Sequence, residues 1–82
     1  MNKLLIFTAS WCAPCKHMKP IVEELSYNEN VEVYDFDEDM ELARSYQIPG
    51  VPCYLLVDSD GEILETVLGV VPKSRLEELL DE

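Results

Sequence analysis

The sequence predicts one α/β domain over residues 1–82, with elements in the order β-α-β-α-β-β-α and a four-stranded mixed sheet flanked by helices. Three observations lead there. Two apolar runs, Leu4–Phe7 and Cys53–Val57, have the unbroken character of strands covered on both faces. Between Cys12 and about Asn28, Met18, Ile21, Val22 and Leu25 fall on a single helical stripe. The turn sequence Asp58-Ser59-Asp60-Gly61 joins Cys53–Val57 to Ile63–Leu68 as a hairpin.

The remaining elements follow in order. Pro20 interrupts the first helix, and a kink is expected near the Lys16 carbonyl, which loses its N–H partner. Val31–Phe36 reads as the second strand. Its Glu32 and Asp35 suit a sheet edge, where charge discourages pairing with another chain. Strand, helix and strand of this length make a right-handed βαβ unit with parallel strands. Asp39–Gln47 reads as a short helix with Leu42, Ala43 and Tyr46 facing inward, stopped by Pro49-Gly50. Gly69 breaks the last strand. Pro72 suits the first turn of a final helix whose Leu76, Leu79 and Leu80 dock on the sheet.

Bulk properties narrow the function. Eighty-two residues suffice for one domain with a modest core. A hydrophobic content of 48% argues against disorder, and no apolar run is long enough to cross a bilayer. The opening Met1–Phe7 has the outline of a signal peptide, a positive residue followed by apolar ones. Its apolar stretch ends after four residues, and cleavage would remove a core strand, so the reading is a mature cytoplasmic protein. A net charge of −11 repels nucleic acid and anionic membrane, predicts neither as a partner, and favours a soluble monomer. Five carboxylates cluster between Asp35 and Glu41. They read as a solvated edge or helix start, since the glycine-turned calcium-loop pattern is lacking.

Three cysteines are too few for a secreted disulfide scaffold. Cys12 and Cys15, three residues apart at a helix start, fit disulfide exchange, which needs one thiolate to attack and a second thiol to resolve the mixed disulfide. Unpaired N–H groups and the partial positive charge of the helix N-terminus stabilise a thiolate there. Cys15 continues the apolar stripe and is predicted to be shielded; Cys12 is predicted to be reachable and is the nucleophile. Pro14 restricts the backbone between them. Trp11 reads either as a partly exposed wall of a substrate surface or as a packing residue under the loop. Lys16, His17 and Lys19 form either a positive pocket that lowers the Cys12 pKa further or an ordinary solvated helix face. Cys12, Cys15 and His17 are also metal-ligand types, but a zinc site needs a fourth ligand, which Cys53 would have to supply in space.

Trp11-Cys12-Ala13-Pro14-Cys15-Lys16 resembles the Trp-Cys-Gly-Pro-Cys-Lys signature of the thioredoxin family. Pro20 falls at the family's helix-kinking proline. Ile48-Pro49-Gly50-Val51-Pro52 is similar to its cis-proline loop. Gly61 and Gly69 match its hairpin and groove glycines. The resemblance implies a minimal thioredoxin-like fold and reduction of protein disulfides through a redox-active Cys12–Cys15 disulfide. It implies a cis Val51–Pro52 bond whose Val51 N–H and C=O hold an extended substrate segment like an added strand. The implied substrate surface is Trp11, Ala13, Pro14, Val51, Pro52 and Gly69. No bound cofactor or metal is implied, and NADPH would act only indirectly, through thioredoxin reductase or a similar electron donor. Disulfide-containing proteins are the implied substrates, with ribonucleotide reductase one candidate.

Three departures stand out. The chain starts at the strand before the motif, where thioredoxins carry a further strand and helix; this length is nearer to glutaredoxins. A glutathione-dependent reductase is therefore the alternative. Against it, the motif is not of the Cys-Pro-Tyr-Cys type, and the Gly-Gly and acidic pair that hold glutathione are not evident around Gly69-Val70-Val71. A redox-inactive binding module is a further alternative, opposed by the intact cysteine pair. Ile6 stands where the family has a buried Asp, and Val33 where that Asp has a Lys partner. The Cys15 proton then passes to water or to another group. Cys53 follows Pro52 where thioredoxins usually have Thr; it is either a small buried hydrophobe or a third oxidisable thiol.

Overall fold

The first apolar run becomes the middle of the sheet. In the computed structural model, which describes residues 2–82, β1 (Lys3–Thr8) pairs in parallel with β2 (Val31–Asp35) and antiparallel with β3 (Cys53–Val57). A hairpin adds β4 (Ile63–Leu68), and the strand order is β2-β1-β3-β4. The helices are α1 (Ala13–Leu25), α2 (Met40–Ser45) and α3 (Lys73–Leu80). Met1, the first residue of the domain read from the sequence, lies outside the described residues.

Two-residue alternation along the apolar strands divides the core. Leu4, Ile6, Tyr54 and Leu56 pack with Met18, Val22 and Leu25 of α1 and with Leu76 and Leu79 of α3. Leu5, Phe7, Cys53, Leu55 and Val57 pack on the other face, against Ala43 of α2 and the partly buried Leu42 and Tyr46. A strand buried on both faces has no polar alternation to show, which is why β1 and β3 read as continuous apolar runs. β2 lies at the edge, the position its two acids favoured. Its Glu32 is tied to Lys3 of β1 at 2.7 Å, an exposed pair of small energetic weight.

Element ends differ from the sequence expectation by one to three residues, each for a local reason. Cys12 has extended backbone angles, φ −93° and ψ 115°, and is the N-cap of α1 rather than its first residue. At the other end Ser26, Tyr27 and Asn28 donate to Val22, Glu24 and Leu25 carbonyls, so α1 dissolves into turns before Asn28. Pro20 sits inside α1 and cannot donate to the carbonyl one turn back. β2 stops at Asp35 instead of Phe36 because the Asp35 carboxylate accepts the Asp37 and Glu38 N–H groups, at 2.9 and 3.1 Å, and turns the chain. α2 is shorter than Asp39–Gln47: Asp39 is its N-cap, and Gln47 takes a left-handed φ of 54°. Pro72 is likewise the N-cap of α3 rather than part of its first turn. Among the described residues no helix is long and apolar enough to cross a membrane.

Leu76 and Leu79 are the fully buried side chains that fix α3 to the sheet. Leu76→Ala is expected to cost about 2–5 kcal/mol in urea denaturation, with little change in the slope. A loss below about 1 kcal/mol would contradict this packing.

Candidate active site

The β1–α1 connection builds the site. Cys12 N–H donates to the Ala9 carbonyl at 3.3 Å, closing the turn that brings the chain off the sheet into α1. As N-cap, Cys12 directs its sulfur back over the first helical turn, where Sγ accepts the Cys15 N–H at 3.2 Å. Ala13 and Pro14 occupy the start of the helix, where a missing proline N–H costs nothing.

The α2–β3 loop closes the site from the other side. The Cys12 thiol donates to the Val51 carbonyl at 3.6 Å, and the Val51–Pro52 peptide bond is cis. Gly69 N–H donates to the Pro52 carbonyl at 3.0 Å, and Tyr54 Oη donates to the Gly69 carbonyl at 3.0 Å. Gly69 holds φ at +83°, a conformation that a side chain would strain, so the glycine is what lets β4 end against the proline loop. Val51, Pro52 and Gly69 are thus one hydrogen-bonded unit beside Cys12.

Burial corrects the expected contrast between the thiols. Cys12 is 5% exposed and Cys15 is 4% exposed, so Cys12 is not the more reachable of the two. Ala9 packs with both, and Phe36 and Val51 close over them. Helical periodicity places Cys15 on the buried stripe but cannot foresee that distant loops roof over the N-cap as well. What distinguishes Cys12 is its contacts: its sulfur meets both the first helical turn and the proline loop.

Burial also reverses the expected acidity. It pushes the Cys12 thiol up from its ordinary value, and the neighbouring Cys15 thiol adds to the rise, while the Cys15 backbone N–H works in the opposite direction. Lys16, His17 and Lys19 are exposed and play no part in the shift of Cys12, against the expectation that they lower its pKa.

Trp11 is 62% exposed, which excludes a packing role under the loop. Its Nε1–H donates to Asp37 Oδ2 at 2.8 Å, and its ring meets Phe36 edge-on with centroids 6.4 Å apart. Asp37 is the site residue that sequence reasoning missed. The acidic segment is more than a solvated edge: Asp35 turns the chain, and the turn presents Asp37 to the indole. A signal was available, since Asp35 followed two residues later by Asp37 at a strand end is an Asx-turn pattern.

Cys53 is fully buried among Leu5, Phe7 and Ala43, and burial pushes its thiol up to about 11. Ile6 is fully buried opposite Val33, and among the described residues no polar or charged residue is buried. Among the described residues no three histidine, cysteine or acidic side chains converge on a possible metal position.

Comparison with known proteins places this geometry. A family model described as thioredoxin matches residues 1–82. The chain belongs to the thioredoxin family. Thioredoxin from Staphylococcus epidermidis is 40% identical over 83 residues, which cover 96% of this chain and 79% of that protein. Thioredoxin from Bacillus subtilis is 40% identical over 79 residues, 92% of this chain and 75% of the relative. Among solved structures, a mutant thioredoxin from Halobacterium salinarum superposes with a TM-score of 0.78 at 35% identity, covering 98% of this chain and 72% of that one. Reduced Schistosoma mansoni thioredoxin pre-protein gives 0.77 at 31% identity, covering 98% and 76%. The fold is therefore a minimal thioredoxin fold, and this thioredoxin-family chain is a thiol–disulfide oxidoreductase with Cys12 and Cys15 as its dithiol.

The buried state of Cys53 sets an expectation for oxidation. Mild peroxide that converts the Cys12/Cys15 pair to a disulfide is expected to leave Cys53 unmodified by mass spectrometry, because a thiol held near 11 is almost wholly protonated at neutral pH. Sulfenic acid or a glutathione adduct on Cys53 of the folded protein would contradict this.

Proposed function

We propose that residues 1–82 act as one domain that reduces protein disulfides, with Cys12 attacking and Cys15 resolving. The position of Cys12 Sγ, between the Cys15 N–H and the Val51 carbonyl, supports this assignment above all. As the thiol ionises, the Cys15 N–H remains as a donor to the anion, and the Val51 carbonyl loses the proton it had accepted. That carbonyl is then free to accept an N–H from an extended substrate segment, while the Val51 N–H donates to it. Cys12 sulfur bonds to one substrate sulfur, and the other leaves as a thiolate. Cys15 sulfur then attacks Cys12 sulfur, closes the Cys12–Cys15 disulfide and releases the second substrate thiol, so two electrons pass to the substrate.

Trp11, Ala13 and Pro14 flank the attacking sulfur, and Val51, Pro52 and Gly69 line the opposite side. The exposed side chains of Trp11, next to Cys12, and Val70, next to Gly69, supply apolar area for a substrate segment. Electrons would reach the disulfide from NADPH through thioredoxin reductase or a similar donor, in the reducing cytoplasm, and ribonucleotide reductase is one candidate target.

Trapping tests the roles. Cys15→Ser is expected to leave a stable mixed disulfide with a protein substrate, mapped to Cys12, and to lower turnover by at least about a hundredfold. Cys12→Ser is expected to form no adduct. With the intact protein, thioredoxin reductase and NADPH are expected to restore the dithiol faster than glutathione does. An adduct mapped to Cys15 or Cys53, or faster recovery with glutathione, would overturn the assignment.

A further inference from the structure

Cys15 has to lose its thiol proton to attack Cys12. The protein interior offers no taker, because among the described residues no polar or charged residue is buried, and Ile6 and Met18 are apolar. An opening does reach Cys15. A cleft of about 390 Å³ lies between α1 and the β1–β2 side of the sheet, and Cys15 forms part of its wall. That volume holds several waters.

Asp35 lines the same cleft from the end of β2, next to Thr8, its partner in the parallel register. Its Oδ1 is committed to the turn through the Asp37 and Glu38 N–H groups. Its Oδ2 makes no hydrogen bond among the described residues. The carboxylate is thus held in place by one oxygen and has the other available. We propose that Asp35 accepts the Cys15 proton, through water in this cleft, during the resolving step. The inference rests on the roles assigned above to Cys12 and Cys15.

The Cys15 thiol proton passes to Asp35 Oδ2. Cys15 sulfur bonds to Cys12 sulfur, and the bond between Cys12 and the substrate breaks. The substrate sulfur leaves with the bonding electron pair and takes a proton from solvent, and Asp35 returns its proton to water. The two cysteine sulfurs end oxidised and the substrate sulfur reduced.

Other charges face this carboxylate. From α1, Lys16, Lys19 and Glu23 line the cleft; on its own turn, Asp37, Glu38 and Asp39 follow, with Asp39 Oδ2 accepting the Asp35 N–H at 3.2 Å. Of β1 only Thr8, which does not titrate, reaches the cleft wall; Lys3 lies at the far end of the strand, paired with Glu32. Lys19, one helical turn after Cys15, makes no ion pair among the described residues, so its ammonium favours anions in the cleft.

A coloured nitro-aryl disulfide separates the two steps. Mixed in equal amount with the reduced protein, it releases one thiolate when Cys12 attacks and a second when Cys15 closes the ring. Asp35→Asn keeps an oxygen for the turn and removes the base. It is expected to leave the first phase within about twofold and to slow the second about tenfold near pH 6. The second phase of the variant is expected to rise about tenfold per pH unit, more steeply than in the parent, because free hydroxide then does the work. Added acetate, small enough for the cleft, is expected to restore part of the lost rate. Glu77→Gln, an exposed acid on α3, makes the same charge change and is expected to alter neither phase. A second phase of parental rate and slope in Asp35→Asn would overturn the proposal, as would equal slowing in Glu77→Gln. Failure of the underlying role assignment looks different: the first phase would then persist in Cys12→Ser.

Discussion

The site depends on one sulfur held from two sides. Cys12 Sγ accepts the Cys15 N–H and donates to the Val51 carbonyl, so a single atom joins the start of α1 to the loop before β3. Neither contact is strong. A neutral hydrogen bond contributes about 1 kcal/mol net, and a helix terminus adds about 0.3–1 kcal/mol towards an anion. Removing a thiolate from water costs more than either, which is why burial dominates and the resting thiol is shifted up. Burial therefore favours the protonated thiol at rest, and in the proposed cycle its proton would be given up as the substrate arrives and supplies new hydrogen bonds. In that proposed cycle, docking and activation of the nucleophile would draw on the same carbonyl.

The rest of the fold serves that geometry. Ile6 and Phe7 lie deep in the sheet and fix where β1 ends, so the turn at Ala9 delivers Cys12 just beyond the C-terminal end of this central strand. Tyr54 reaches from β3 to the Gly69 carbonyl, and Gly69 returns a hydrogen bond to Pro52, so the loop facing Cys12 is braced from β4. Trp11 is held out in solvent by Asp37 and Phe36 instead of collapsing onto the thiols. A domain of this size can hold its site with few polar contacts because its interior is apolar on both sides of the sheet. The same choice leaves Cys15 without an internal base.

Much of this was legible in the residues. The apolar runs gave β1 and β3, the spacing of Met18, Val22 and Leu25 gave the buried face of α1, and Glu32 and Asp35 marked the edge strand. The cysteine pair announced the chemistry at once, because its spacing and its place at a helix start are local properties. Burial of Cys12 was not legible, since the roof is made by Val51 and Phe36, which lie far along the chain. The acidity of that thiol was missed for the same reason: the helix start is visible in sequence, and desolvation by remote loops is not. Asp37 reads in the sequence only as charge, because its contact with Trp11 depends on a turn that Asp35 makes.

The central claim is that position, and not exposure, makes Cys12 the attacking thiol. Limited alkylation tests it directly: the reduced, folded protein is treated with less than one equivalent of iodoacetamide near neutral pH, and the labelled peptide is identified. Two thiols of equal burial would be labelled about equally if exposure decided the matter. The account predicts label on Cys12, with Cys15 and Cys53 left free. Label shared evenly between Cys12 and Cys15, or found first on Cys15, would contradict it.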